Sequence, residues 1–528
     1  MMESTLAKWA YAPPGMKQVG IIDLGSNTTR LVLYGYVPGR AFRIEDAVRA
    51  QVRLSEGMDE GGVLRAEPMR RAIEALKLFK RLSDVNGVTE ILCVATAASR
   101  DAKNGPAFLR RLETETGLTP RLITGEEEAY YGYLAAVNSL QFTDGLVVDI
   151  GGGSAEMTQV AGRQLVQARS LQLGSVRTSE RFLKSDPPKK SEVTALVDHI
   201  NAQIKDFDWL GGPAMVGMGG TIRALAKVDR AIRQPGVTHL HGYVLAKTAV
   251  DRLVDQLRGL TVAQRTGIPG LSKDRADVIL GGAIVLQQIM NAGRHTSLTV
   301  SNQGIREGLF YERFLSNATG DDAAVNGAPP LLDNVREFGI QNLLYLYGGN
   351  LPHFAHTRHL ALSLFDQLQP VHGYGAFERD IMSAAAWLHD VGMVIDYWEH
   401  QLHSQYIILN SPMLGWSHRE VALIALLARN HRRGGVTFEG LAGALEAGDD
   451  ARVEKLAALL RLAEFLERGK TGVVADVRVH TGDDWVQIEA LARGDASIEV
   501  WEASRNSDLF RKAYGRSVEI VESVAAPA

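Results

Sequence analysis

The sequence predicts an α/β protein with two related lobes, followed by a region that is mainly helical. One observation is a repeat: a strand, an aspartate, a glycine-containing loop and a second strand occur at Asp23 and again at Asp149. A second is that amphipathic helices alternate with short apolar strands around both copies. The third is a change to helical periodicity beyond residues 316–330, whose Asn, Gly, Asp, Ala and Pro content predicts a linker.

The two copies of the repeat agree residue by residue. Asp23 is followed by Leu-Gly-Ser-Asn-Thr and Asp149 by Ile-Gly-Gly-Gly-Ser, and Arg30 then falls opposite Glu156. Self-similarity over such a long period predicts a duplicated unit. Two facing loops of this kind would offer backbone N–H groups to phosphate, and an aspartate at a strand end is placed to hold Mg²⁺.

The remaining elements follow from hydrophobic periodicity. Between the copies we predict a helix at 67–83, strands at 91–95 and 121–124, and a helix from 125 to about 140. After the second copy come strands at 157–160 and 165–171, a strand and Gly-Gly-Thr loop at 214–221, and a last strand and helix within 297–308. Beyond the linker, helices are expected at 335–346, 359–368, 381–388, 420–428 and 453–466, then strands at 475–480 and 485–491 and a helix near 509–514. The predicted domains are 1–140 (lobe I), 141–318 (lobe II), 319–470 (helical) and 471–528 (a small α+β cap).

Composition excludes several classes of protein. The 528 residues carry a net charge of −4, so no global basic field is available for nucleic acid or a membrane surface. A single cysteine excludes a disulfide framework, and no window is apolar for long enough to span a membrane. The N-terminal residues have no apolar core of signal-peptide type, so we expect a cytoplasmic protein.

Seven motifs in this order resemble the exopolyphosphatase and guanosine pentaphosphate phosphatase family, from about Val19 to Arg306. They are Asp23-Leu-Gly-Ser-Asn-Thr, Ala95-Thr-Ala-Ala-Ser-Arg-Asp-Ala-Lys-Asn, Gly125-Glu-Glu-Glu-Ala, Asp149-Ile-Gly-Gly-Gly-Ser-Ala-Glu, Leu173-Gly-Ser-Val-Arg, Gly219-Gly-Thr-Ile-Arg-Ala-Leu-Ala and Gly304-Ile-Arg-Glu-Gly. The resemblance implies the two-lobed, duplicated ribonuclease H-like fold of actin, the heat-shock chaperone ATPases and the sugar kinases. It also implies the long family form, with an HD-like C-terminal domain and a homodimeric assembly.

The resemblance implies roles for individual residues. Glu127 matches the general base, Glu156 the second catalytic carboxylate, and Asp149 the aspartate associated with Mg²⁺ (or Mn²⁺), which Asp149 and Glu156 would hold. The phosphate-binding positions are Asp23, Gly25, Ser26, Asn27, Thr28, Arg100, Gly151, Gly152, Gly153, Ser154, Gly220 and Thr221. The alternative for Glu127 is helix capping, because acidic residues in a first helical turn stabilise it without any catalytic role.

The helical region contains a second candidate metal site. His389 and Asp390 resemble the HD signature, and the resemblance suggests a metal site made of His359, His389, Asp390 and Glu464. Such sites usually close with an aspartate, so the alternative is a relic fold in which these side chains make structural hydrogen bonds. The segment 431–433, His-Arg-Arg, reads either as a basic edge that guides polyphosphate or as a solvated helix end.

The favoured function is an Mg²⁺-dependent hydrolase that releases terminal phosphate from inorganic polyphosphate. Hydrolysis of guanosine pentaphosphate in the same cleft is the closest alternative, because one set of carboxylates serves both reactions. An ATP-driven kinase or chaperone would need an adenosine pocket, for which no further motif is present. A non-catalytic sensor of polyphosphate or guanosine nucleotides is disfavoured by the three acidic residues. We expect neither membrane nor nucleic-acid partners.

Overall fold

A computed structural model describes residues 15–58, 61–233, 236–316 and 329–525. It divides into two compact units, the first comprising residues up to 233 together with 240–335, and the second comprising 234–239 together with 336 onward. Most of the predicted linker, 317–328, lies outside the described residues. Among the described helices, none is both long and apolar enough to cross a lipid bilayer.

The first sheet of the first unit contains five strands. They are β1 (Lys17–Leu24), β2 (Thr28–Val37), β3 (Ala41–Gln51), β4 (Ile91–Ala95) and β5 (Arg121–Leu122), in the spatial order β3-β2-β1-β4-β5. The first three form an antiparallel meander, and β4 and β5 run parallel to β1. The accompanying helices are α1 (Ala66–Val85), α2 (Ala97–Asp101), α3 (Gly105–Thr116) and α4 (Gly125–Val137).

The second sheet repeats this topology. Its strands are β6 (Gly145–Ile150), β7 (Ala155–Ala161), β8 (Gln164–Leu171), β9 (Met215–Met218), β10 (Val244–Ala246) and β11 (Ser297–Val300), in the order β10-β11-β9-β6-β7-β8. Apart from the added edge strand β10, the meander and the two parallel strands match the first sheet. Asp23 pairs with Arg30 in one sheet and Asp149 with Glu156 in the other, so the predicted internal repeat is confirmed. The first unit has the predicted two-lobed, actin-like α/β fold.

Helices complete the first unit around these sheets. They are α5 (Ser175–Phe182), α6 (Lys190–Ile204), α7 (Gly219–Arg233), α8 (Lys247–Arg258), α9 (Val262–Arg265), α10 (Ile279–Ala292) and α11 (Ile305–Ser316). The last helix returns to the first lobe, where Phe310 stacks on Tyr34 of β2 with ring centroids 4.1 Å apart. It also packs tightly on α4, since a Cβ at Gly308 would lie 2.0 Å from the Tyr131 carbonyl oxygen. Aromatic burial and this close approach hold the first lobe to the end of the unit.

The second unit is helical with a small terminal sheet. Its helices are α12 (Val335–Tyr347), α13 (Leu351–Gln367), α14 (Gln369–His372), α15 (Ala376–Leu388), α16 (His400–Asn410), α17 (His418–Arg429), α18 (Asp449–Leu466), α19 (Ser497–Arg505) and α20 (Asp508–Tyr514). Strands β12 (Val474–Thr481), β13 (Trp485–Ala492) and β14 (Ser517–Val524) form a sheet in that order. One continuous apolar core includes residues of both the helices and the sheet, such as Leu466 and Ile488.

Candidate active site

A cleft in the first unit gathers most of the predicted phosphate-binding residues. Its lining includes the ends of β1 and β6, the two loops that follow them, and the start of α7. Of the predicted residues, Asp23, Gly25, Ser26, Asn27, Thr28, Asp149, Gly151, Gly152, Gly153, Ser154 and Gly220 line this cleft. The sequence therefore located the two repeated loops correctly, and they converge as the duplication requires.

The two loops approach so closely that side chains would not fit between them. A Cβ at Gly153 would lie 2.6 Å from Ser26 Oγ and 3.1 Å from the Ala97 Cβ. At Gly152 the nearest atoms, from Ser26 and Asn27, would be 3.3 Å away. Glycine at these positions brings the backbone of one lobe against the other, which leaves main-chain groups to form the cleft wall.

Asp149 lies where three segments meet. Gly219, which joins β9 to α7, has φ +88°, and a Cβ there would lie 2.4 Å from Asp149 Oδ1. Gly304, just before α11, approaches Asp149 Oδ2. Both the left-handed conformation and the close approach require glycine at residue 219. Burial raises the pKa of Asp149 to about 6, although the nearby Arg223 acts in the opposite direction.

The structure does not place Glu127 in the cleft. Its carboxylate accepts a hydrogen bond of 2.8 Å from the Thr124 N–H and forms an ion pair with Arg121, while Thr124 Oγ accepts from the Glu127 N–H at 3.1 Å. This is a capping box at the start of α4, and acceptance from the Thr124 backbone contributes most to lowering the Glu127 pKa. The predicted position of Glu127 in the cleft is wrong, and the capping alternative describes its contacts.

Glu128 lies in the cleft instead. Successive helical residues point about 100° apart, so the residue that follows the capping glutamate faces a different side of α4. Glu128 is buried and lines the cleft, and its carboxylate accepts a hydrogen bond of 3.1 Å from Arg100. Burial, and next the negative charge of Glu156, raise the Glu128 pKa well above its usual value.

Arg100 and Glu156 lie behind the cleft surface rather than on it. Arg100 donates to the Ile123 carbonyl oxygen as well as to Glu128, and it does not belong to the cleft lining. Glu156 is 3% exposed and accepts a 2.7 Å hydrogen bond from Ser170 Oγ. Burial, followed by the charge of Asp149, raises the Glu156 pKa to about 7. Arg100 contacts Glu128 in this structure, and its direct contact with phosphate stays a prediction.

Two further predicted positions can be placed. Thr221 is buried beside Gly282 and is not part of the lining, so its expected phosphate contact is not supported by its position.

Asp23 lines the cleft 3.4 Å from Arg306, and its Oδ1 is buried with no hydrogen-bond partner in the described chain. Burial raises the Asp23 pKa, while Arg306 lowers it. Carboxylate oxygens are the donor type that Mg²⁺ prefers, so the unpartnered Oδ1 of Asp23 and the neighbouring carboxylate of Asp149 in the cleft lining fit a bound ion.

Four arginines in the cleft were not predicted as ligand-binding residues. Arg30, Arg223, Arg275 and Arg306 line it. Burial lowers the pKa of Arg30 to about 9 and those of Arg223 and Arg275 to about 10, and neighbouring arginines add to this effect in each case. Crowded, desolvated guanidinium groups are stabilised by an anion. Arg223 and Arg306 belong to two of the seven motifs and Arg30 belongs to the internal repeat, but nothing in the sequence around Arg275 indicated its position.

A second cavity adjoins the cleft and shares all four arginines with it. The cleft has a cavity volume of about 100 Å³ and the adjoining cavity one of about 570 Å³. The adjoining cavity is lined by two further basic residues, Arg49 and Lys227, and by one acidic residue, Glu307. Among the described residues, none that lines this cavity is aromatic. The combined space exceeds what a single phosphate group needs and has a cationic surface.

In the second unit, the structure brings together three of the four predicted metal ligands. His389, Asp390 and Glu464 are buried together, but His359 is 52% exposed at its side chain and pairs with Asp476. The prediction of His359 is wrong because it lies on the outer face of α13. His353, six residues earlier on the same helix, takes its place.

The second unit also contains a group that the sequence did not assign to this site. Asp390 lies beside His400 and His431. His431 is fully buried in this group, so it does not form the basic edge proposed for residues 431–433.

Family models match both units of the chain. The Ppx/GppA phosphatase family matches residues 40–317, and domain III of the Ppx/GppA phosphatases matches residues 335–491. A guanosine-5'-triphosphate,3'-diphosphate pyrophosphatase of Vibrio vulnificus is 28% identical over 92% of this chain and 96% of its own length. Exopolyphosphatase 1 of Mycobacterium tuberculosis is 28% identical over 57% of this chain and 90% of its own length.

Solved structures agree with the fold of the first unit. The crystal structure of the Aquifex aeolicus member of the Ppx/GppA family is 31% identical, has a TM-score of 0.50, and covers 56% of this chain and 96% of its own. An exopolyphosphatase from Cytophaga hutchinsonii, 24% identical with a TM-score of 0.52 over 56% of this chain and 98% of its own, shares the fold. The duplicated sheets, the paired glycine loops and the family models lead to one conclusion: this chain belongs to the Ppx/GppA phosphatase family.

Proposed function

We propose that this chain is a metal-assisted phosphoanhydride hydrolase that releases terminal orthophosphate from inorganic polyphosphate. The observation that carries the proposal is the cleft itself, where two glycine loops and four arginines surround the carboxylates of Asp23, Glu128 and Asp149. Backbone N–H groups and guanidinium groups bind phosphate oxygens, and the carboxylates supply a metal site and a base.

Glu128 takes the role that the resemblance gave to its neighbour. In the reaction, a water oxygen bonds to the terminal phosphorus while the bridging P–O bond breaks, and orthophosphate and a shortened chain are released. The water proton passes to the Glu128 carboxylate. A raised pKa suits a base that works near neutral pH. Arg100 donates a hydrogen bond of 3.1 Å that orients the Glu128 carboxylate. The negative charge of Glu156 helps to raise the Glu128 pKa. Both residues therefore act through Glu128, as positioning residues.

Asp23 and Asp149 are the residues that would hold Mg²⁺, with Glu156 paired to Asp149 across the β6–β7 ladder. When bound, the ion would neutralise negative charge on the phosphate oxygens. Arg30 and Arg306 would orient the terminal phosphate. Asp23 and Arg306 form an ion pair of 3.4 Å. This pair places a residue proposed to hold the metal beside one proposed to bind phosphate.

The adjoining cavity favours a long polyanion over a nucleotide. Arg49 and Lys227 extend the positive surface beyond the cleft, and the described lining has no aromatic side chain for stacking on a base. A polyphosphate chain could continue from the cleft into this space. The coverage of both units by a guanosine-5'-triphosphate,3'-diphosphate pyrophosphatase favours the second candidate, hydrolysis of guanosine pentaphosphate in the same cleft.

Phosphate release separates the candidates. The purified chain is supplied with long-chain polyphosphate, tripolyphosphate, guanosine pentaphosphate or ATP, each with and without Mg²⁺. The expected result is the highest kcat/KM for long-chain polyphosphate and dependence on the metal. Preference for guanosine pentaphosphate would favour the second candidate, and no release from any substrate would refute both.

A variant tests the role of the adjoining cavity. Lys227→Ala is expected to raise KM for long-chain polyphosphate about threefold to tenfold and to leave tripolyphosphate hydrolysis nearly unchanged, because it removes a single partly buried cation outside the cleft. Lys247→Ala, which removes a lysine paired with Asp251 elsewhere on the same unit, is the matched control. Equal effects on both substrates would contradict the proposed path.

A further inference from the structure

Two adjacent residues at the end of α2 reach from the first sheet of the first unit to the second. α2 follows β4 of the first sheet, and its last two residues are Arg100 and Asp101. Arg100 donates to Glu128 of α4, and this helix packs against β7 and β8 of the second sheet. Asp101 accepts from Arg177 of α5, the helix that follows β8. A cation and an anion that are neighbours in the chain therefore make separate contacts with the other half of the unit.

The contact between Asp101 and Arg177 is short and largely shielded from solvent. Arg177 Nη2 lies 2.7 Å from Asp101 Oδ2, and the two side chains are 11% and 19% exposed, respectively. Gln172 also donates to Asp101 Oδ2, at 3.4 Å. A partly buried ion pair is screened less than one on the surface, and removal of one partner leaves the other charge poorly solvated. Without Arg177, the Asp101 carboxylate would therefore attract another cation.

The backbone of Arg177 is bound to the glycine loop that follows β6. The N–H groups of Ser175 and Val176 donate to the carbonyl oxygens of Gly151 and Gly152, respectively, each at 2.9 Å. The Arg177 N–H also donates to the Gly152 carbonyl oxygen, at 3.3 Å. These hydrogen bonds place the start of α5 against a loop that lines the cleft. The Arg177 guanidinium group is therefore positioned by the same loop that is predicted to bind phosphate.

Arg100 has two carboxylates within reach. Its Nη1 donates to Glu128 at 3.1 Å, while its Nε lies 3.7 Å from Asp101 Oδ1. An Asp101 carboxylate without a partner would attract this guanidinium group away from Glu128, because opposite charges at such a distance attract strongly where solvent is largely excluded. Pairing of Asp101 with Arg177 removes this competition.

We propose that Arg177 is a positioning residue for the base, Glu128. By pairing with Asp101, it leaves Arg100 free to orient the Glu128 carboxylate. The inference rests on the proposed function, in which Glu128 accepts the proton of the attacking water. Arg177 is not part of the cleft lining, so it acts through the other residues and not on the substrate. Misplacement of a reacting group by about 1 Å can reduce a rate about 100-fold, so the role concerns the chemical step more than substrate binding.

Steady-state kinetics with polyphosphate test this role through a second substitution that should restore activity. Arg177→Gln leaves the Asp101 carboxylate free to attract Arg100. It is expected to lower kcat about tenfold to 100-fold and to change KM less than about threefold. Addition of Asp101→Asn removes the competing charge, so the double variant should recover kcat to within about threefold of the parent protein. Asp101→Asn alone should lower kcat less than Arg177→Gln does.

The double variant separates positioning from a purely structural link. A pair that only joined the two halves of the unit would be broken in both single variants and in the double variant. Equal or additive losses of kcat in the double variant would therefore overturn the proposal, as would parental kcat in Arg177→Gln. Arg313→Gln is the matched control, because it removes an arginine that is paired with Glu90 in the same unit, outside the cleft lining. It is expected to keep parental kcat.

Crystal structures of the variants test the placement of Arg100 independently of phosphate release. In Arg177→Gln, Arg100 should donate to Asp101 and leave Glu128 without its hydrogen bond, and the double variant should restore the contact between Arg100 and Glu128. Retention of that contact in Arg177→Gln would overturn the inference. Failure of the proposed function would have a different signature, since the parent protein would then release no phosphate or Glu128→Gln would retain parental kcat.

Discussion

Two adjacent glutamates in α4 allow a sharp test of the catalytic assignment. Glu128→Gln keeps the size of the side chain but removes the proposed base from the cleft, whereas Glu127→Gln alters a residue of the capping box. Loss of a positioned general base typically reduces the rate by about 10²–10⁴-fold. This corresponds to about 3–5 kcal/mol of transition-state stabilisation. We therefore expect kcat to fall by that factor for Glu128→Gln.

The contacts of Glu127 predict a much smaller effect on activity. Glutamine can also close a capping box, and the ion pair with Arg121 is partly exposed at both side chains, so kcat should stay within about threefold. Glu127→Ala removes the hydrogen bond from the Thr124 N–H to the Glu127 carboxylate but leaves Thr124 as the N-cap, and it should lower the free energy of unfolding by about 1 kcal/mol. Its activity should remain near that of the parent protein while it is folded.

The assay is steady-state phosphate release from polyphosphate at saturating Mg²⁺, with thermal melting to show that each variant is folded. Saturating metal separates loss of the base from weaker ion binding. Saturating substrate separates it from weaker polyphosphate binding. A greater loss of kcat in Glu127→Gln than in Glu128→Gln would refute the geometric argument and restore the motif-based assignment.

Three further predictions follow from buried groups. Since burial raises the pKa of Asp149 to about 6, protons should compete with Mg²⁺ for this ligand as the pH falls. Apparent Mg²⁺ affinity should weaken about twofold from pH 7 to pH 6 and about tenfold from pH 7 to pH 5, and a flat response in metal titrations would contradict this. Gly153→Ala should reduce kcat/KM at least about tenfold, because a Cβ would lie 2.6 Å from the facing loop, while Gly61→Ala, with only one atom at 3.8 Å, should be nearly silent in the same assay. Asp229→Ala should lower the free energy of unfolding by about 2–3 kcal/mol in urea denaturation, since its fully buried carboxylate accepts hydrogen bonds from a tyrosine and an arginine; a loss below about 0.5 kcal/mol would argue against that network.

The sequence predicted the parts of the fold that rest on local periodicity and repetition. The strand-loop-strand unit that is repeated at Asp23 and Asp149 predicted two related sheets, and each sheet contains one copy of this unit. The predicted helix at 67–83 is Ala66–Val85 in the structure. Strand β14 was not predicted, because it joins the terminal sheet through parallel pairing with β13, a long-range contact that local alternation does not reveal.

The site was predicted less completely, for reasons that differ from residue to residue. The sequence contains the capping-box pattern, Thr124 followed by Glu127, so the acid run could have been assigned by helix geometry. The error at His359 is similar, since both it and His353 lie on α13 and only packing decides which faces inward. Arg275 reaches the cleft from a short turn far along the chain, where tertiary structure alone places it.

The paired hairpins share a backbone but differ in the residue opposite each aspartate. Arginine faces Asp23 in the first, and glutamate faces Asp149 in the second. The two copies of a duplicated scaffold therefore differ in charge, with a basic residue opposite one aspartate and an acidic residue opposite the other. The repeating units of a linear substrate are identical along most of its length and do not distinguish one direction of the chain from the other. The difference in charge between the two hairpins would then allow the site to distinguish a free end of the chain from its middle.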